Sequence, residues 1–248
     1  MSAATNVIVD KLVADEPVFH SGGTRVWNAM TGTMALIARY VQPGHRTLET
    51  GAGASTVVFV AAGAEHLAIS PFGDEHRRIV EYAESLSINT SKLRFAEGSS
   101  TDVLPALPAD DRYDVAFIDG MHSFPAPVVD FHYVDRVLKL GGLLLLDDVP
   151  IPAVGVVNRF LESSPDWEPV ALVDDRAAVF RKLAEADRED NWRQQPFNKR
   201  YPDFSHLPLR RAPHRIKLEA AERLPAVKRE LGRRFPALKQ AWVSRRDS

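Results

Sequence analysis

The stretch Thr47-Leu-Glu-Thr-Gly-Ala-Gly-Ala-Ser-Thr56 limits the possible folds of this chain more than any other. It predicts a short buried strand, a turn that contains Gly51 and Gly53, and an apolar helix that begins at Ser55 or Thr56. Glycine permits a sharp turn and a close approach to the backbone, and the first N–H groups of a helix point into the same space. The stretch therefore predicts a nucleotide- or nucleoside-binding turn, with a tight turn that binds nothing as the alternative.

The pattern on either side of this turn alternates between short apolar runs and helical segments. Short buried runs separated by helices indicate a parallel sheet that is covered on both faces. The predicted strands are residues 46–50, 66–70, 93–96, 113–119 and 143–147.

The end of this pattern differs, because residues 167–173 and 177–181 are separated only by Asp174-Asp-Arg176. Three residues cannot make a parallel crossover, so these two strands should form an antiparallel hairpin. The predicted fold class is α/β and Rossmann-like, with a mostly parallel sheet of seven strands and an antiparallel terminal hairpin.

The helices and the changes in composition suggest three divisions of the chain: residues 1–24, 25–183 and 184–248. A helix is expected from about Arg25 to Val41. Another should run from Asp74 to Ser85, with Asp74 as its cap, and a third from Ala126 to Leu140, where two glycines end it.

Composition excludes several classes of protein. The chain has 248 residues, of which 45% are hydrophobic and 26% charged, which suits a globular protein with a substantial core. Zero cysteines exclude disulfides, thiolate metal sites and a cysteine nucleophile. The sequence has no run of eighteen apolar residues and no signal-peptide pattern near its start, so we expect a cytoplasmic protein.

Charge is distributed unevenly along the chain. Residues 189–248 contain 15 Lys+Arg and 7 Asp+Glu, which leaves 16 and 26 for the preceding residues (31 − 15 and 33 − 7). Aromatic side chains lie among these cations, and short helices are predicted at Lys217–Leu224 and Ala226–Arg234. Such a basic tail could dock an acidic partner, a nucleic acid or a membrane surface. It could equally pack its aromatics on the acidic body, and without a nucleic-acid-binding motif we expect no nucleic-acid partner.

The combination Glu49-Thr-Gly-Ala-Gly53 with the terminal hairpin resembles the class I S-adenosylmethionine-dependent methyltransferases over residues 25–183. A dinucleotide fingerprint would need a third glycine, where Thr56 stands. The resemblance implies that Gly51 and Gly53 pass under the amino-acid portion of the cofactor and that Glu49 supports the loop. The implied cofactor-binding residues are Glu49, Gly51, Ala52, Gly53, Ser55, Ser70, Ser99 and Asp119.

The chain departs from the family pattern after the second strand, where an acid should bind both ribose hydroxyls. Ser70-Pro71-Phe72 stands there instead, and one serine hydroxyl cannot replace a bidentate carboxylate. Asp74 or Glu75 could reach back to this position. Phe72 could pack on the adenine or belong to the core.

Acidic residues follow the fourth and fifth predicted strands, in Asp119-Gly-Met-His122 and Asp147-Asp148. Ligands of open α/β sheets bind at the carboxyl ends of the strands, and three gathered carboxylates repel unless a cation such as Mg²⁺ is present. The pattern resembles the metal-dependent small-molecule and sugar O-methyltransferases. The resemblance implies Asp119, Asp147 and Asp148 as metal ligands, and His122 as the general base.

Simpler interpretations remain for each of these residues. Asp119 could contact the cofactor without a metal, Asp148 could cap the following turn, and His122 could be a loop histidine near the substrate. His20, His45, His66 and His76 suggest no role.

The function predicted from these features is S-adenosylmethionine-dependent methylation of a small-molecule hydroxyl, with Mg²⁺ as a candidate second cofactor. One alternative is a different metal-dependent reaction on the same scaffold, such as a hydroxylase-like one. The other is a non-catalytic binding protein that uses its basic tail. The sequence is compatible with a homo-oligomer and does not identify the acceptor.

Overall fold

The computed structural model describes residues 3–20, 30–108, 110–185 and 195–200. Its centre is a seven-stranded sheet with the strand order β3-β2-β1-β4-β5-β7-β6. The predicted mostly parallel α/β sheet is confirmed. The strands are β1 (Arg46–Thr50), β2 (Glu65–Ser70), β3 (Leu93–Glu97), β4 (Tyr113–Ile118), β5 (Leu138–Leu146), β6 (Trp167–Val173) and β7 (Ala177–Lys182).

The first five strands are parallel, and β7 closes the sheet antiparallel to both β5 and β6. Val173 pairs with Ala177 across the predicted hairpin. Asp174 and Asp175 have φ values of 54° and 50°, a left-handed conformation that matches the twist of a tight hairpin. Because β1 and β4 are neighbours, residues after these two strands meet at one edge of the sheet.

Helices cover both faces of the sheet, and each layer has its own apolar core. Helices α1 to α4 contribute to the core on one face and helices α5 to α7 to the core on the other. The helices are α1 (Ala3–Asp15), α2 (Thr31–Tyr40), α3 (Ala54–Ala61), α4 (Gly73–Ser85), α5 (Ser100–Val103), α6 (Ala126–Val137), α7 (Pro152–Ser163) and α8 (Pro196–Arg200).

The boundary between α6 and β5 was predicted wrongly. Helix α6 ends at Val137 and β5 begins at once at Leu138, whose partner in β4 is Tyr113. Gly142 lies inside β5, where a Cβ atom would be 2.8 Å from the carbonyl oxygen of Lys139. Gly142 therefore serves a close backbone approach, Gly141 has a left-handed φ of +77°, and the pair does not end the helix.

The predicted cap of α4 was also wrong. Phe72 occupies the position before the helix, and no side chain caps it. Asp74 is exposed in the first turn and accepts a hydrogen bond of 3.1 Å from Arg77.

Parts of other predictions lie outside the described residues. The helix predicted for residues 25–41 is observed as α2 from Thr31, whereas residues 25–29 are not described. The two predicted tail helices also lie outside the described residues. Within the described ranges, no helix combines the length and the apolar character needed to cross a membrane. The chain divides into two units, residues 1–188 and 189–248.

Candidate active site

The glycine loop, residues 51–53, joins β1 to α3 as the sequence predicts. Gly51 has a φ of +95°, and its N–H donates to the carbonyl oxygen of Ile69 over 2.9 Å. A Cβ atom at Gly51 would lie 2.6 Å from the carbonyl oxygen of Asp119, at the end of β4. Both the conformation and the space therefore require glycine here, and the loop lies directly against the end of β4.

Glu49, in β1, supports the loop through a buried polar network. Its side chain accepts a hydrogen bond from the hydroxyl of Thr56, whose oxygen in turn accepts one of 3.0 Å from the N–H of Gly53. His66 Nε2 lies 3.2 Å from the Glu49 carboxylate, and His66 Nδ1 lies 2.7 Å from the hydroxyl of Thr47. His66, for which no role was predicted, thus lies beside the acid that supports the loop.

The end of β2 contains the predicted departure from the family pattern. Ser70 is buried, and its hydroxyl oxygen accepts a hydrogen bond of 3.4 Å from the N–H of Phe72, which is itself 55% exposed and is not a core residue. Glu97, the last residue of β3, pairs in register with Ser70. A Cβ atom placed on Gly73 would lie 3.2 Å from the carboxylate of Glu97. An acid on the neighbouring strand therefore lies beside the predicted ribose position, which the sequence analysis missed.

The other predicted cofactor residues lie around the same loops. Ser55 is buried in the first turn of α3, and Ala52 is partly buried in the glycine loop. Ser99 follows β3 and shares a hydrogen bond of 2.8 Å with Thr101.

The acidic edge, which consists of Asp119, Asp147 and Asp148, forms where β4 and β5 end. The N–H of Asp119 donates to Thr50 of β1 over 3.1 Å, and the N–H of Asp147 donates to Ile118 of β4 over 3.2 Å. Asp148 has a φ of +58°, a left-handed conformation that is uncommon outside glycine and often marks a functional site.

The structure brings His122 together with two of the three acids. His122 Nε2 lies 3.7 Å from Asp119 Oδ1 and 3.6 Å from Asp148 Oδ2. Oxygen and nitrogen atoms of these three residues lie within 4.8 Å of one another, close enough to share a metal ion. Nε2 is buried and has no hydrogen-bond partner among the residues that the structure describes.

Asp147 lies outside this group of three. Its side chain is 2% exposed, and its Oδ1 atom accepts hydrogen bonds from the N–H of Asp148 over 2.9 Å and from the hydroxyl of Thr33 over 3.3 Å. In this conformation Asp147 positions Asp148 and helix α2, and its role as a metal ligand stays a prediction.

Arg176, in the β6–β7 hairpin turn, contacts the acidic edge. Its Nη2 atom lies 2.5 Å from Asp148, and its Nε atom lies 3.5 Å from Asp147. From the sequence, this residue was predicted only as part of a turn. No sequence signal places it here, because the contact depends on the antiparallel pairing of β5 with β7.

Negative charge at this edge is only partly compensated. Burial raises the pKa of Asp119 well above its ordinary value, and the carboxylates of Asp147, Glu49 and Asp148 raise it further, while Arg176 opposes them. Burial also raises the pKa of Asp147, although the Asp148 N–H and Arg176 act in the other direction. A bound cation would relieve this repulsion. Carboxylate oxygens suit a hard divalent ion, with Asp119 and Asp148 as the oxygen ligands.

Part of the chain is similar to a known protein family. A protein family described as "Methyltransferase domain" matches residues 48–149, which contain both the glycine loop and the acidic edge. No curated protein sequence matches the chain.

Solved structures share the fold at low sequence identity. One is the O-methyltransferase TomG from Streptomyces achromogenes, which acts in tomaymycin synthesis and was solved with S-adenosylmethionine. Its sequence is 12% identical to this chain, and the TM-score is 0.54. The match covers 74% of this chain and 91% of that one. Another, assigned as a caffeoyl-CoA O-methyltransferase from Staphylococcus aureus, is 17% identical, with a TM-score of 0.53 and coverages of 73% and 93%.

A third protein, assigned as an O-methyltransferase from Klebsiella pneumoniae, is 15% identical, with a TM-score of 0.53 and coverages of 74% and 91%. These matches agree with the glycine loop, the strand order and the terminal hairpin, and they confirm the resemblance found in the sequence. Residues 48–149 therefore match a methyltransferase domain, and the chain shares its fold with these O-methyltransferase structures.

Proposed function

We propose that this protein transfers a methyl group from S-adenosylmethionine to a hydroxyl oxygen of a small molecule, with His122 as the general base. The observation that carries the proposal is the position of His122 Nε2 between the carboxylates of Asp119 and Asp148, 3.7 and 3.6 Å away. The same Asp119 lies against Gly51 of the glycine loop. A proton acceptor is thus held beside the cofactor loop, as methylation of a hydroxyl requires.

The cofactor supplies an electrophilic methyl group, so the protein must position an acceptor oxygen in line with it and remove a proton. Gly51 and Gly53 leave room for the amino-acid portion of the cofactor. Ser70 and Glu97 line the position expected for the ribose, where the Glu97 carboxylate can accept hydrogen bonds from hydroxyl groups. Glu97 thereby supplies the acid that the sequence lacks after β2.

His122 is suited to hold the proton that it takes. An imidazolium at this position would be stabilised by the carboxylates of Asp119 and Asp148, since each is within 4 Å of Nε2. The unpartnered Nε2 atom is available to accept a proton from a substrate hydroxyl.

We further propose that Asp119 and Asp148 hold a divalent ion, with Mg²⁺ as the ion predicted from the sequence and Asp147 as the third predicted ligand. A bound ion acts as a Lewis acid toward a hydroxyl group. Asp147 fixes the loop that carries Asp148 through its hydrogen bond to the Asp148 N–H.

Binding measurements test the proposal without knowledge of the acceptor. Calorimetric titration should show binding of S-adenosylmethionine to the full chain, and absence of binding with and without Mg²⁺ would reject the methyltransferase function.

A screen with methyl-labelled cofactor against phenols, sugars and other hydroxyl compounds should then give a labelled product. The variant His122→Gln should bind the cofactor as the wild type does but lose about two to three orders of magnitude in rate, as expected for loss of a general base. The variant His45→Gln, in the turn before β1, is a matched control that should keep full activity. Activity that survives in chelator would reject the role of a metal ion and leave the methyl transfer in place.

A further inference from the structure

The segment from Asp15 to His20, which follows α1, lies along one face of α4. The hydroxyl of Tyr82 donates to Asp15 over 3.0 Å, and Arg78 Nε donates to the carbonyl oxygen of Phe19 over 2.7 Å. Phe19 is buried, and its ring meets that of Tyr82 edge to face at 5.6 Å.

The last contact along this face is between His20 Nδ1 and the carboxylate of Glu75, which are 3.0 Å apart. Residues 75, 78 and 82 are three and four positions apart, so they lie on the same side of the helix. The segment therefore runs antiparallel to α4 and is fixed at successive turns, and we call it the strap (residues 15–20).

The strap ends at the glycine loop. A Cβ atom placed on Gly53 would lie 3.4 Å from His20 Nε2 and 3.7 Å from Cε1. Nε2 itself is buried and has no hydrogen-bond partner among the residues that the structure describes. A buried polar nitrogen without a partner is costly unless a ligand satisfies it.

We infer that His20 is a cofactor-binding residue, which the strap holds against the glycine loop so that Nε2 contacts the amino-acid portion of S-adenosylmethionine. This inference rests on the proposed function. The Glu75 carboxylate can only accept a hydrogen bond, so it fixes the proton of a neutral His20 ring on Nδ1 and leaves the Nε2 lone pair exposed to the loop. That lone pair can accept a hydrogen bond from the α-ammonium group of the cofactor.

A matched pair of substitutions separates the two ring nitrogens of His20. The amide of His20→Asn can replace Nδ1 and keep the bond to Glu75, but it has no atom at the Nε2 position. The amide of His20→Gln can replace Nε2 and lacks the atom at Nδ1. We expect His20→Asn to weaken the binding of S-adenosylhomocysteine about tenfold or more, as for loss of a hydrogen bond to a charged group, and His20→Gln to weaken it less.

The ligand 5′-methylthioadenosine provides the second comparison, because it keeps the adenine and ribose but lacks the amino-acid portion. Titration calorimetry of the full chain should give the same affinity for this ligand in the wild type and in His20→Asn. His45→Asn, a histidine in the turn before β1, should change neither affinity.

Three results would overturn the inference. If both His20 variants bind S-adenosylhomocysteine as the wild type does, or if His20→Gln is the more harmful of the two, His20 only anchors the strap to α4. Equal weakening for both ligands would show a general distortion of the site and would also reject the specific contact. If the wild type binds neither ligand, the proposed function itself fails, and that result is distinct from the other three.

Discussion

The glycine loop and the acidic edge lie against each other, yet they are built in opposite ways. The glycine loop comes from one stretch of sequence, and its acid, Glu49, is surrounded by groups that compensate it: the hydroxyl of Thr56 and the imidazole of His66. The acidic edge comes from two separate segments, which follow β4 and β5. Its acids face one another, and Arg176 compensates them only in part.

The difference indicates that the two parts of the site have different roles. The shape of the glycine loop is set by its backbone conformation. The acidic edge keeps an excess of negative charge, so its protonation and its geometry should respond to cations and ligands. The experiments below test this contrast.

The largest effect should come from Gly51→Ala, which adds a methyl group both at a φ of +95° and 2.6 Å from the carbonyl oxygen of Asp119. We expect the free energy of unfolding to fall by about 3 kcal/mol and cofactor binding to be lost. Gly44→Ala is the control, because Gly44 has a φ of +82° and nothing within 4 Å of its added Cβ. It should cost about 1 kcal/mol in urea unfolding. Equal losses in the two variants would show that the close approach to β4 does not matter.

This contrast also explains how much the sequence could predict. The strand, turn and helix around the glycine loop were predicted nearly residue by residue, because glycines and apolar periodicity act locally. The mostly parallel sheet and its antiparallel terminal pair followed from the alternation of strands and helices and from the short hairpin, whereas the order of the strands was not predicted.

The acidic edge was predicted less completely, because its contacts depend on the packing of distant segments. The acids were expected at the ends of β4 and β5, but the contact of Arg176 joins the distant hairpin turn to this edge. The contacts of His66 with Glu49 and of His20 with the glycine loop likewise join segments that are distant in the sequence. The same reason explains the wrong boundary at Leu138. The segment Leu138-Lys-Leu140 suits the end of a helix or the start of a strand equally, and the pairing of Leu138 with Tyr113 of β4 decided between them.

The next largest effect should follow from Arg176→Met, which removes the cation nearest to the acids. We expect the free energy of unfolding at pH 8 to fall by about 1 kcal/mol, because the side chain is partly exposed. We also expect the affinity for a divalent ion such as Mn²⁺, measured by calorimetry, to rise about tenfold, since a competing cation is gone. Arg181→Met, which removes an exposed pair with Glu168 on β6, should leave metal affinity unchanged. A lower metal affinity in Arg176→Met would show that the arginine helps to form the site.

A smaller effect is expected for Glu97→Gln beside Ser70. If the Glu97 carboxylate accepts hydrogen bonds from the ribose, binding of S-adenosylhomocysteine and of 5′-methylthioadenosine should weaken equally, by about fivefold. Asp74→Asn is the control, because this nearby acid is exposed and pairs with Arg77. An unchanged affinity in Glu97→Gln would leave Ser70 as the ribose contact and would place the acid outside the site.

The smallest effect is expected for Asp130 on α6, which lies close to the hydroxyls of Ser100 and Thr50. Burial raises its pKa, and those hydroxyls offset part of the rise. Below the ordinary pKa of an aspartate, about 3.9, the residue is protonated in both the folded and the unfolded protein. As pH rises, the unfolded chain releases this proton at a lower pH than the folded chain does. The wild type therefore loses stability until the pH reaches the folded-state pKa. Above that pH, the contribution of Asp130 to the free energy of unfolding is constant.

Asp130→Asn removes this titration, so the variant should gain stability relative to the wild type as pH rises from 4 to 8, as measured by urea unfolding. Asp114→Asn should behave differently. Burial acts to raise the pKa of Asp114, but hydrogen bonds from Lys139 and the N–H of Arg46 outweigh it and lower the pKa overall. The stability that Asp114 contributes is therefore present above the ordinary pKa and is lost only as pH falls through the folded value, so its difference from the wild type should be flat between pH 4 and 8. If the stability difference between Asp130→Asn and the wild type also stays flat with pH, Asp130 is solvated like an acid at the surface. The excess negative charge would then be confined to the acidic edge.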